Sequence, residues 1–332
     1  MKKRTYVAGH NGMLGSAIVR LYEQKEIGDC VVTKSSSELD LRRQSDVECF
    51  FKDNNFTEVF LCAAVVGGIH ANNSRPWDFI SDNLAIQQNV ISAAQSCGIK
   101  KLLFLGSSCI YPKHCNQPMR ESDLLTGLLE KTNEPYAIAK IAGIKMCEAI
   151  NRQFCDEGFD YRAVMPTNLY GKGDNYHPSD SHVLAALVRK FSIAKFKGLQ
   201  TVSVWGSGTQ KREFMHVDDA AKACLHVMNM SRTEFKELVL DDQCFLNVGS
   251  GEEVDIRTLS SLIAGAVGFK GQIEFDSTKL EGVPRKLMNS EFIRRSGWKP
   301  EHNLQDSLAA ICDDYINSPS FSAEVGSHRD HD

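Results

Sequence analysis

The segment that most limits how this chain can fold is a glycine motif near its start. Three glycines in the spacing Gly-x-x-Gly-x-x-Gly run from Gly9 to Gly15, between a β-rich run at 5–8 and a helical pattern that continues through Gln24. Glycines at these positions allow a tight turn and let the backbone approach a pyrophosphate, which then lies at the helix N-terminus. Because a strand precedes the motif and a helix follows it, the motif predicts a dinucleotide-binding βαβ unit.

Short apolar strands and helical patterns continue to alternate through the first half of the chain. Continuous apolar strands separated by helices indicate a parallel sheet that is covered on both faces. We therefore predict an α/β fold, a doubly wound parallel sheet of the Rossmann type with a smaller mixed α/β substrate domain. The predicted strands are residues 5–8, 31–33, 58–63, 102–105 and 161–165, and the predicted helices are 46–53, 80–97 and one that opens at 133 or 134.

After Pro166 the pattern loosens, with more glycine and proline and with mixed strand and helix signals. An apolar run at 245–248 is predicted to return to the main sheet. The final residues are polar and carry little apolar side-chain area, which favours disorder. We predict a Rossmann domain of residues 1–170 and about 213–250, a substrate domain of about 171–212 and 251–318, and a disordered tail of 319–332.

The composition argues against several classes of partner. The formal net charge of -4 provides no general basic field for nucleic acid. No apolar run approaches the length needed to cross a bilayer, and polar residues interrupt the start of the chain, so we expect neither a membrane partner nor a signal peptide. Eleven cysteines without any CxxC pair indicate reduced thiols and a cytoplasmic location. A zinc site is not expected, because no compact ligand spacing joins His114, Cys115, His177 and His182.

The end of the second predicted strand bears on which dinucleotide would bind. An NAD site usually has an acid there for the ribose 2′-hydroxyl, whereas a cation or hydroxyl groups suit a 2′-phosphate. The run 32–37 reads Val-Thr-Lys-Ser-Ser-Ser and contains no acid before Glu38. Lys34 and the serines therefore favour NADP. The alternative, an exposed loop that happens to be basic, stays open.

A tyrosine and a lysine lie four residues apart in the helix that opens near residue 133. Tyr136 and Lys140 therefore share one helix face. A free phenol is too weak an acid for neutral pH, and we expect the Lys140 ammonium to lower its pKa. Ser107, at the end of the fourth predicted strand, is placed to donate to a carbonyl oxygen where charge develops. Together with the glycine motif, these residues indicate hydride transfer to or from a carbinol or ketone carbon.

Beyond these motifs, long stretches resemble the GDP-L-fucose synthases, a family of extended short-chain dehydrogenases. The resemblance reaches from the glycine motif to about Trp298, which is nearly the whole chain. It implies conversion of GDP-4-keto-6-deoxy-D-mannose to GDP-L-fucose, by epimerisation at C3 and C5 and reduction of C4 with NADPH. The segments that carry it are 9–15, 66–69, 104–112, 133–140, 165–171, 175–183, 204–209 and 212–214.

The resemblance also implies roles for individual side chains. Ser107, Tyr136 and Lys140 would form the reductive triad, and Cys109 and His182 would be the acid/base pair of epimerisation. A proton next to a ketone becomes labile when donors hold the enolate oxygen. Thiols and imidazoles, with ordinary pKa values near 8.5 and 6.5, both exchange protons near neutrality. Without the resemblance, Cys109 reads as a small core residue and His182 as a helix-start residue.

Binding residues follow from the glycine motif, the loop after the second strand and the resemblance. The resemblance assigns GDP contacts to Lys190, Trp205 and Arg212. Arg285 and Lys286 are candidates for the same basic patch. A surface charge or a core aromatic is the alternative interpretation for each. The predicted cofactor contacts are Gly9, His10, Asn11, Gly12, Met13, Leu14, Gly15, Lys34, Asp40, Leu41, Tyr136 and Lys140.

The sequence departs from the family in places that bear on specificity. Relatives often carry arginine at the positions of Asn11 and Ser36, near the expected ribose, and other changes fall at Leu280, Glu281 and Asn289. A related GDP-4-keto-sugar C4-reductase without epimerase activity, for instance on a heptose, is therefore the main alternative. An NAD-retaining 4-epimerase and a non-catalytic NADP-binding regulator are the others. The resemblance also implies a homodimer, formed through the helices near 80–97 and 134–152.

Overall fold

Strands and helices alternate in the first half of the chain and mix in the second half. The computed structural model describes residues 3–279 and 282–326, so the departures from the family at Leu280 and Glu281 lie outside the described residues. The strands are β1 (Thr5–Ala8), β2 (Val31–Val32), β3 (Glu58–Leu61), β4 (Lys101–Leu105), β5 (Asp160–Pro166), β6 (Asn168–Tyr170), β7 (Thr201–Trp205), β8 (Lys211–His216), β9 (Phe245–Val248), β10 (Glu253–Asp255), β11 (Gln272–Asp276) and β12 (Arg285–Lys286).

The helices connect these strands and also form the C-terminal part of the described chain. Two of them, α4 and α5, are the longest in the described part of the chain. The helices are α1 (Met13–Gln24), α2 (Gln44–Asp53), α3 (Ile69–Ser74), α4 (Pro76–Ser96), α5 (Glu134–Gln153), α6 (Val183–Phe196), α7 (Val217–Asn229), α8 (Arg232–Leu238), α9 (Ile256–Val267), α10 (Glu291–Arg295), α11 (Leu304–Ile316) and α12 (Pro319–Gly326), with short 3-10 turns at Gly28–Cys30, Ser108–Ile110, Glu121–Asp123 and Cys155–Glu157.

Six strands pair in parallel to form the main sheet, in the order β2-β1-β3-β4-β5-β9. The prediction of a doubly wound parallel sheet is confirmed, including the return of residues 245–248 to the sheet. The chain leaves β1 toward β2 on one side and then crosses to β3 on the other side. Ligands of such sheets bind outside the carboxyl ends of the strands at this reversal of direction. The fold thus directs attention to the loops after β1 and β3.

Alternating side chains on the buried strands supply two separate apolar cores. Tyr6 and Ala8 point into the core beneath α2, α4 and α5, whereas Val7 and Phe60 point into the core beneath α1, α7 and α8. Successive strand residues face opposite sides of a sheet, so a strand needs adjacent apolar residues to fill both cores. This requirement explains why the strands appear in the sequence as continuous apolar runs.

The second half of the chain builds a smaller mixed domain around its own core. Strands β10, β8 and β12 form a sheet to which β6 also pairs through β8, and β7 pairs with β11. Helices α6, α9 and α11 fill the third core. The predicted boundary differs in one place: Met288, Ile293 and Trp298 pack into the cores of the main sheet, although residues 251–318 were expected to belong to the substrate domain.

The C-terminal region is more ordered than the sequence predicts. Residues 319–326, expected to be disordered, form α12, and Phe321 packs edge-on against Phe196 and Tyr315. The Arg189 guanidinium donates to the Glu324 carboxylate at 2.8 Å. One buried aromatic ring and one ion pair therefore hold a segment whose polarity suggested disorder. Residues 327–332 of the predicted tail lie outside the described residues.

Within residues 3–279 and 282–326, no helix combines the length and the apolar character that crossing a bilayer requires.

Candidate active site

A cleft of about 830 Å³ lies where the main sheet meets the second domain. The loops that follow β1, β3, β4 and β5 form its floor. The wall opposite this floor comes from α6, β7, β8 and β12 of the second domain. All predicted site residues line this cleft except Lys140, which is buried and 2% exposed. The site-lining residues among the predictions are Gly9, His10, Asn11, Gly12, Met13, Leu14, Gly15, Lys34, Asp40, Leu41, Ser107, Cys109, Tyr136, His182, Lys190, Trp205, Arg212 and Arg285.

The glycine loop after β1 requires glycine for two different steric reasons. Gly9 has φ +84°, and a Cβ there would lie 2.6 Å from the Ala63 backbone nitrogen in the loop after β3. A Cβ on Gly15 would lie 2.2 Å from the Gly9 carbonyl oxygen. The loop therefore packs directly on its neighbours, as a phosphate-binding turn must.

Helix α1 begins at this loop with its first turn available to an anion. Gly12 is the N-cap residue, so no side chain caps the helix, and the first turn contains no acidic residue. The unpaired N–H groups of a helix N-terminus, together with the helix dipole, favour an anionic group there. His10 Nδ1 is also buried and has no hydrogen-bond partner within the described residues. These features fit the pyrophosphate of a dinucleotide.

Ser107, Tyr136 and Lys140 come together beside the floor of the cleft. Ser107 lies in the loop after β4, just before the 3-10 turn at Ser108–Ile110. Its hydroxyl oxygen accepts a hydrogen bond from the Cys109 N–H at 3.3 Å. Tyr136 and Lys140 lie one turn apart on α5, and the Lys140 ammonium donates to the Leu105 carbonyl at 2.7 Å. The ammonium nitrogen is 5.8 Å from the centre of the Tyr136 ring. The triad geometry thus depends on α5 lying against the end of β4.

Burial dominates the electrostatics of this group. It raises the pKa of the Tyr136 hydroxyl above its usual range, the Cys109 side chain adds to that rise, and a hydrogen bond with Ser107 lowers it by less. Burial also lowers the pKa of Lys140 to about 8. This direction is opposite to the expected lowering of the Tyr136 pKa by Lys140. The reason is that desolvation of a phenolate outweighs other effects at a nearly inaccessible site.

Cys109 follows the triad serine in a 3-10 turn and has two polar neighbours. The Asn133 amide nitrogen lies 3.4 Å from its sulfur, and the Lys286 ammonium nitrogen lies 3.5 Å from it. The Asn133 amide oxygen is buried without a partner within the described residues, and it lies at the cleft. From the sequence, Asn133 had no assigned role, and Lys286 was placed in the basic patch for GDP rather than beside Cys109. Asn133 precedes Tyr136 by three residues, whereas Lys286 is 177 residues from Cys109 and carries no local signal.

His182 reaches the cleft from the second domain, at the residue that begins α6. The residue is exposed by its solvent-accessible area, so the desolvation that acts on its imidazole comes from the surrounding walls of the cleft. Burial lowers the pKa of His182, and the charge of Lys286 lowers it further. The imidazole is therefore neutral at neutral pH and able to accept a proton.

Three predicted substrate residues form the wall of the second domain. Lys190 on α6 donates to the Ser203 carbonyl at 3.0 Å and lies 5.4 Å from the centre of the Trp205 ring. The Trp205 ring is 53% exposed, which leaves a flat aromatic face open at the cleft. Burial lowers the pKa of both Lys190 and Arg212. Partly desolvated cations beside an aromatic ring suit a nucleotide diphosphate.

Arg285 is less available to an anion than its sequence suggests. Its guanidinium donates to the Glu253 carboxylate at 2.7 Å, and Lys211 contacts the same carboxylate at 3.5 Å. Both cations hold the pKa of Glu253 below its usual value. Arg285 therefore contributes less net positive charge to the cleft than Arg212, which donates to the Lys211 carbonyl and has no carboxylate partner within the described residues.

Lys34, the basis of the NADP prediction, is ion-paired. Its ammonium nitrogen lies 3.1 Å from a carboxylate oxygen of Glu38. Glu38 was noted in the sequence only as the first acid after the serines, and the structure folds it back onto them. The i,i+4 spacing of Lys34 and Glu38 is a signal that could have indicated this pairing.

A histidine group outside the cleft resembles a metal site only in composition. His216, Asp218 and His302 can place ligand atoms within 4.8 Å of one another. The two imidazoles stack with ring centres 4.1 Å apart, so their in-plane lone pairs do not converge. The His216 ring accepts the Asp218 N–H, and Arg20 pairs with Asp218 at 2.8 Å. The group caps the start of α7 in the described structure.

Known proteins are similar to this chain over most of its length. Residues 5–240 match the NAD dependent epimerase/dehydratase family. The GDP-L-fucose synthase of Escherichia coli strain K12 is 51% identical over 310 residues, which cover 93% of this chain and 95% of that protein.

Two solved structures share the fold at high similarity. A GDP-L-fucose synthetase from Naegleria fowleri bound to NADP has a TM-score of 0.85 and 25% identity, covering 97% of this chain and 94% of that chain. A GDP-mannoheptose C4 reductase from Campylobacter jejuni with NADP bound has a TM-score of 0.84 and 34% identity, covering 95% and 98%. Since the family model and the relatives both match over most of its length, the chain belongs to the NAD-dependent epimerase/dehydratase family and, within it, to the GDP-L-fucose synthases.

Proposed function

We propose that this chain converts GDP-4-keto-6-deoxy-D-mannose to GDP-L-fucose, by epimerising C3 and C5 and reducing C4 with NADPH. The observation that carries the proposal is the meeting of two sets of groups in one cleft. Ser107 and Tyr136 supply the donors of a carbonyl reductase, while Cys109 and His182 supply a thiol and a neutral imidazole. A plain reductase needs only the first set. The identity to the Escherichia coli relative supports the same reaction.

The glycine loop, the open start of α1 and the loop after β2 fit a dinucleotide at the floor of the cleft. Gly9 to Gly15 would hold the pyrophosphate, Asp40 and Leu41 would lie near the adenine, and Lys34 is the cation nearest the expected ribose in sequence. Tyr136 and Lys140 would contact the nicotinamide half. When bound, NADPH supplies the hydride that reduces C4.

Tyr136 acts in this proposal as the proton donor to the C4 oxygen. Its raised pKa keeps the phenol protonated at neutral pH, which is the state a donor needs. Ser107 holds the same oxygen with a second donor. After the proton leaves, the buried phenolate needs a nearby positive charge, and the Lys140 ammonium on the same helix face provides it. Burial thus keeps Tyr136 protonated, and Lys140 stabilises the phenolate that forms when the proton leaves.

Cys109 and His182 act in this proposal on the carbons beside the ketone. Ser107 and Tyr136 hold the enolate oxygen, which makes the C3 and C5 protons labile. One group removes the carbon-bound proton and keeps it, and the other delivers its own solvent-derived proton to the opposite face of the sugar ring. Cys109 projects from the main-sheet domain and His182 from the second domain, so they approach the cleft from different elements. The neutral imidazole is ready to accept the first proton.

The second domain holds the GDP part of the substrate in this proposal. Lys190 and Arg212 face the diphosphate, and the exposed Trp205 ring packs on the base or on a sugar face. Arg285 adds a weaker contribution, because Glu253 already binds its guanidinium. GDP binding measured with Arg212→Ala and with Arg285→Ala tests this ranking of the two arginines. Arg212→Ala should weaken GDP binding more than Arg285→Ala does.

The deciding experiment is NADPH oxidation with GDP-4-keto-6-deoxy-D-mannose in deuterated water, followed by NMR of the product. GDP-L-fucose with deuterium at C3 and C5 is the expected result, because each inversion exchanges a carbon-bound proton with solvent. Reduction at C4 without deuterium or inversion would refute the epimerase half. That result would favour a GDP-4-keto-sugar C4-reductase, for which the fold similarity to the Campylobacter jejuni heptose reductase is the supporting observation.

We also propose a cytoplasmic homodimer formed through α4 and α5. These helices pack against each other and expose apolar side chains, including Trp77 at 74% and Ile138 at 43%. Burial of such a surface in a partner would remove it from water. Light scattering should give twice the chain mass of 37.0 kDa, and a monomer mass would refute the dimer. The eleven free cysteines support a reducing compartment, which fractionation can test.

A further inference from the structure

The loop after β2 gathers its hydrogen-bond donors onto a carboxylate of its own. One oxygen of Glu38 accepts from the Lys34 ammonium at 3.1 Å. The other accepts from the Ser35 N–H at 2.8 Å and from the Ser35 hydroxyl at 2.7 Å. Glu38 therefore binds a cation, a backbone amide and a hydroxyl at once. A phosphate monoester would be bound by this same combination of donors.

The loop after β2 lies where the 2′-phosphate of NADP would be expected to bind. Lys34, Ser35 and Ser36 line the same cleft as the glycine loop, at the carboxyl end of the strand that pairs with β1. In dinucleotide-binding sheets, this strand end faces the adenosine ribose and distinguishes a 2′-hydroxyl from a 2′-phosphate. The donors held by Glu38 are therefore those that a 2′-phosphate would reach first.

The other cation lining this end of the cleft is also neutralised. Arg42 donates to both oxygens of Asp40 at 2.9 Å and contacts the Asp82 carboxylate at 3.1 Å. Within the described residues that line this end, both cations thus have carboxylate partners. Hydrogen bonds from Ser35 and Lys34 lower the pKa of Glu38 to about 2, so it keeps its charge at any neutral pH. Protonation does not release the donors.

We propose that Glu38 sets the cofactor preference of this chain by occupying the donors that a 2′-phosphate requires, so that NADP is preferred over NAD only slightly. The inference rests on the cofactor site of the proposed function. To bind NADP, the Glu38 carboxylate must leave Lys34 and Ser35, and a second anion must then lie beside it. To bind NAD, Glu38 stays in place and accepts the ribose 2′-hydroxyl. The loop therefore serves both cofactors, and the carboxylate opposes the phosphate.

Binding of the two oxidised cofactors to the intact protein tests this without turnover. NADP⁺ and NAD⁺ differ only in the 2′-phosphate, so calorimetric titration of each isolates its effect. We expect dissociation constants that differ by less than about tenfold, since one cation paired with an anion adds little net attraction. A preference for NADP⁺ of about a thousandfold or more would overturn the inference. If neither cofactor binds, the cofactor site itself is misassigned, which is a failure of the proposed function.

A variant without the negative charge of Glu38 shows whether Glu38 opposes the 2′-phosphate or only supports the loop after β2. Glu38→Gln keeps an acceptor for the Ser35 N–H but removes the negative charge, so NADP⁺ should bind at least about tenfold more tightly relative to NAD⁺. Glu237→Gln on the exposed side of α8 makes the same change in net charge away from the cleft, and it should leave the ratio unchanged. An unchanged ratio in Glu38→Gln, or equal weakening of both cofactors, would show that Glu38 only supports the loop. If this variant does not fold, the ratio in the unaltered protein still decides.

Discussion

The ammonium nitrogen of Lys286 lies 3.5 Å from the sulfur of Cys109 and also lowers the pKa of His182. One cation on β12 of the second domain thus contacts one member of the proposed acid/base pair and lowers the pKa of the other. Strand β12 pairs in parallel with β8, which also carries Arg212. The position of Lys286 therefore depends on the same small sheet that holds the proposed diphosphate residue.

Replacing Lys286 with glutamine should raise the pKa of His182, because the positive charge that lowers it is removed. An imidazole accepts a proton only when neutral, so a higher pKa moves the acidic limb of the pH profile upward. Solvent deuterium incorporation measured against pH should show that limb at higher pH than in the unaltered protein. A limb at the same pH, with unchanged cofactor binding, would mean that Lys286 does not act on His182.

Tyr136→Phe should reduce NADPH oxidation by at least about a hundredfold, since general acid catalysis typically contributes that much or more. The ring and its packing against Phe79 remain, so folding and cofactor binding should be retained. Tyr6→Phe is a matched control, because the Tyr6 hydroxyl is buried without a partner within the described residues. Full turnover in Tyr136→Phe would remove Tyr136 from the proposed triad.

Cys109→Ser should slow epimerisation while C4 reduction remains possible. A serine hydroxyl fills similar space but exchanges protons poorly near neutrality, and Tyr136 and Lys140 are left in place. The measurement is the ratio of deuterium incorporated to NADPH oxidised, which should fall. Cys49→Ser, an exposed cysteine on α2, should leave the ratio unchanged. Loss of all NADPH oxidation in Cys109→Ser would contradict separate roles for the two groups.

The sequence predicts best those strands whose side chains fill the apolar cores on both sides of the main sheet. Strands β1, β3 and β4 were predicted to within about two residues because each contains a run of three or four apolar residues. Helix α4 starts four residues before its predicted position at 80, because Pro76 occupies its first position. The glycine loop was predictable because steric contact at Gly9 and Gly15 leaves no other residue type.

The parts that were not predicted depend on contacts between distant segments. Lys286 reaches Cys109 across 177 residues of sequence, through the pairing of β12 with β8. Burial of Tyr136 is set by packing of α5 on the sheet, so the direction of its pKa shift was not visible in the Tyr-x-x-x-Lys spacing. Residues 319–326 were predicted to be disordered because the tail is polar. The sequence does not show that one of its side chains, Phe321, is buried against other elements. Local sequence carries little information on any of these.

Gly9→Ala should both destabilise the protein and abolish cofactor binding. The residue has φ +84°, which a side chain strains, and the new Cβ would lie 2.6 Å from the Ala63 nitrogen. Backbone on both sides must then move, so the loops after β1 and β3 separate where the pyrophosphate would bind. We expect a loss of about 2 kcal/mol or more in the free energy of unfolding. Thermal unfolding and NADP⁺ titration measure the two effects.

Gly265→Ala in helix α9 is the matched control for this change. A Cβ there meets no atom within 4 Å and the position is helical, so alanine should stabilise the protein by roughly 0.5–1 kcal/mol. Cofactor binding should not change, since α9 carries Gly265 outside the cleft. If Gly9→Ala behaved like this control, the close contact between the loops after β1 and β3 would not be needed for the phosphate turn. The contact would then be dispensable both for the stability of the first domain and for dinucleotide binding.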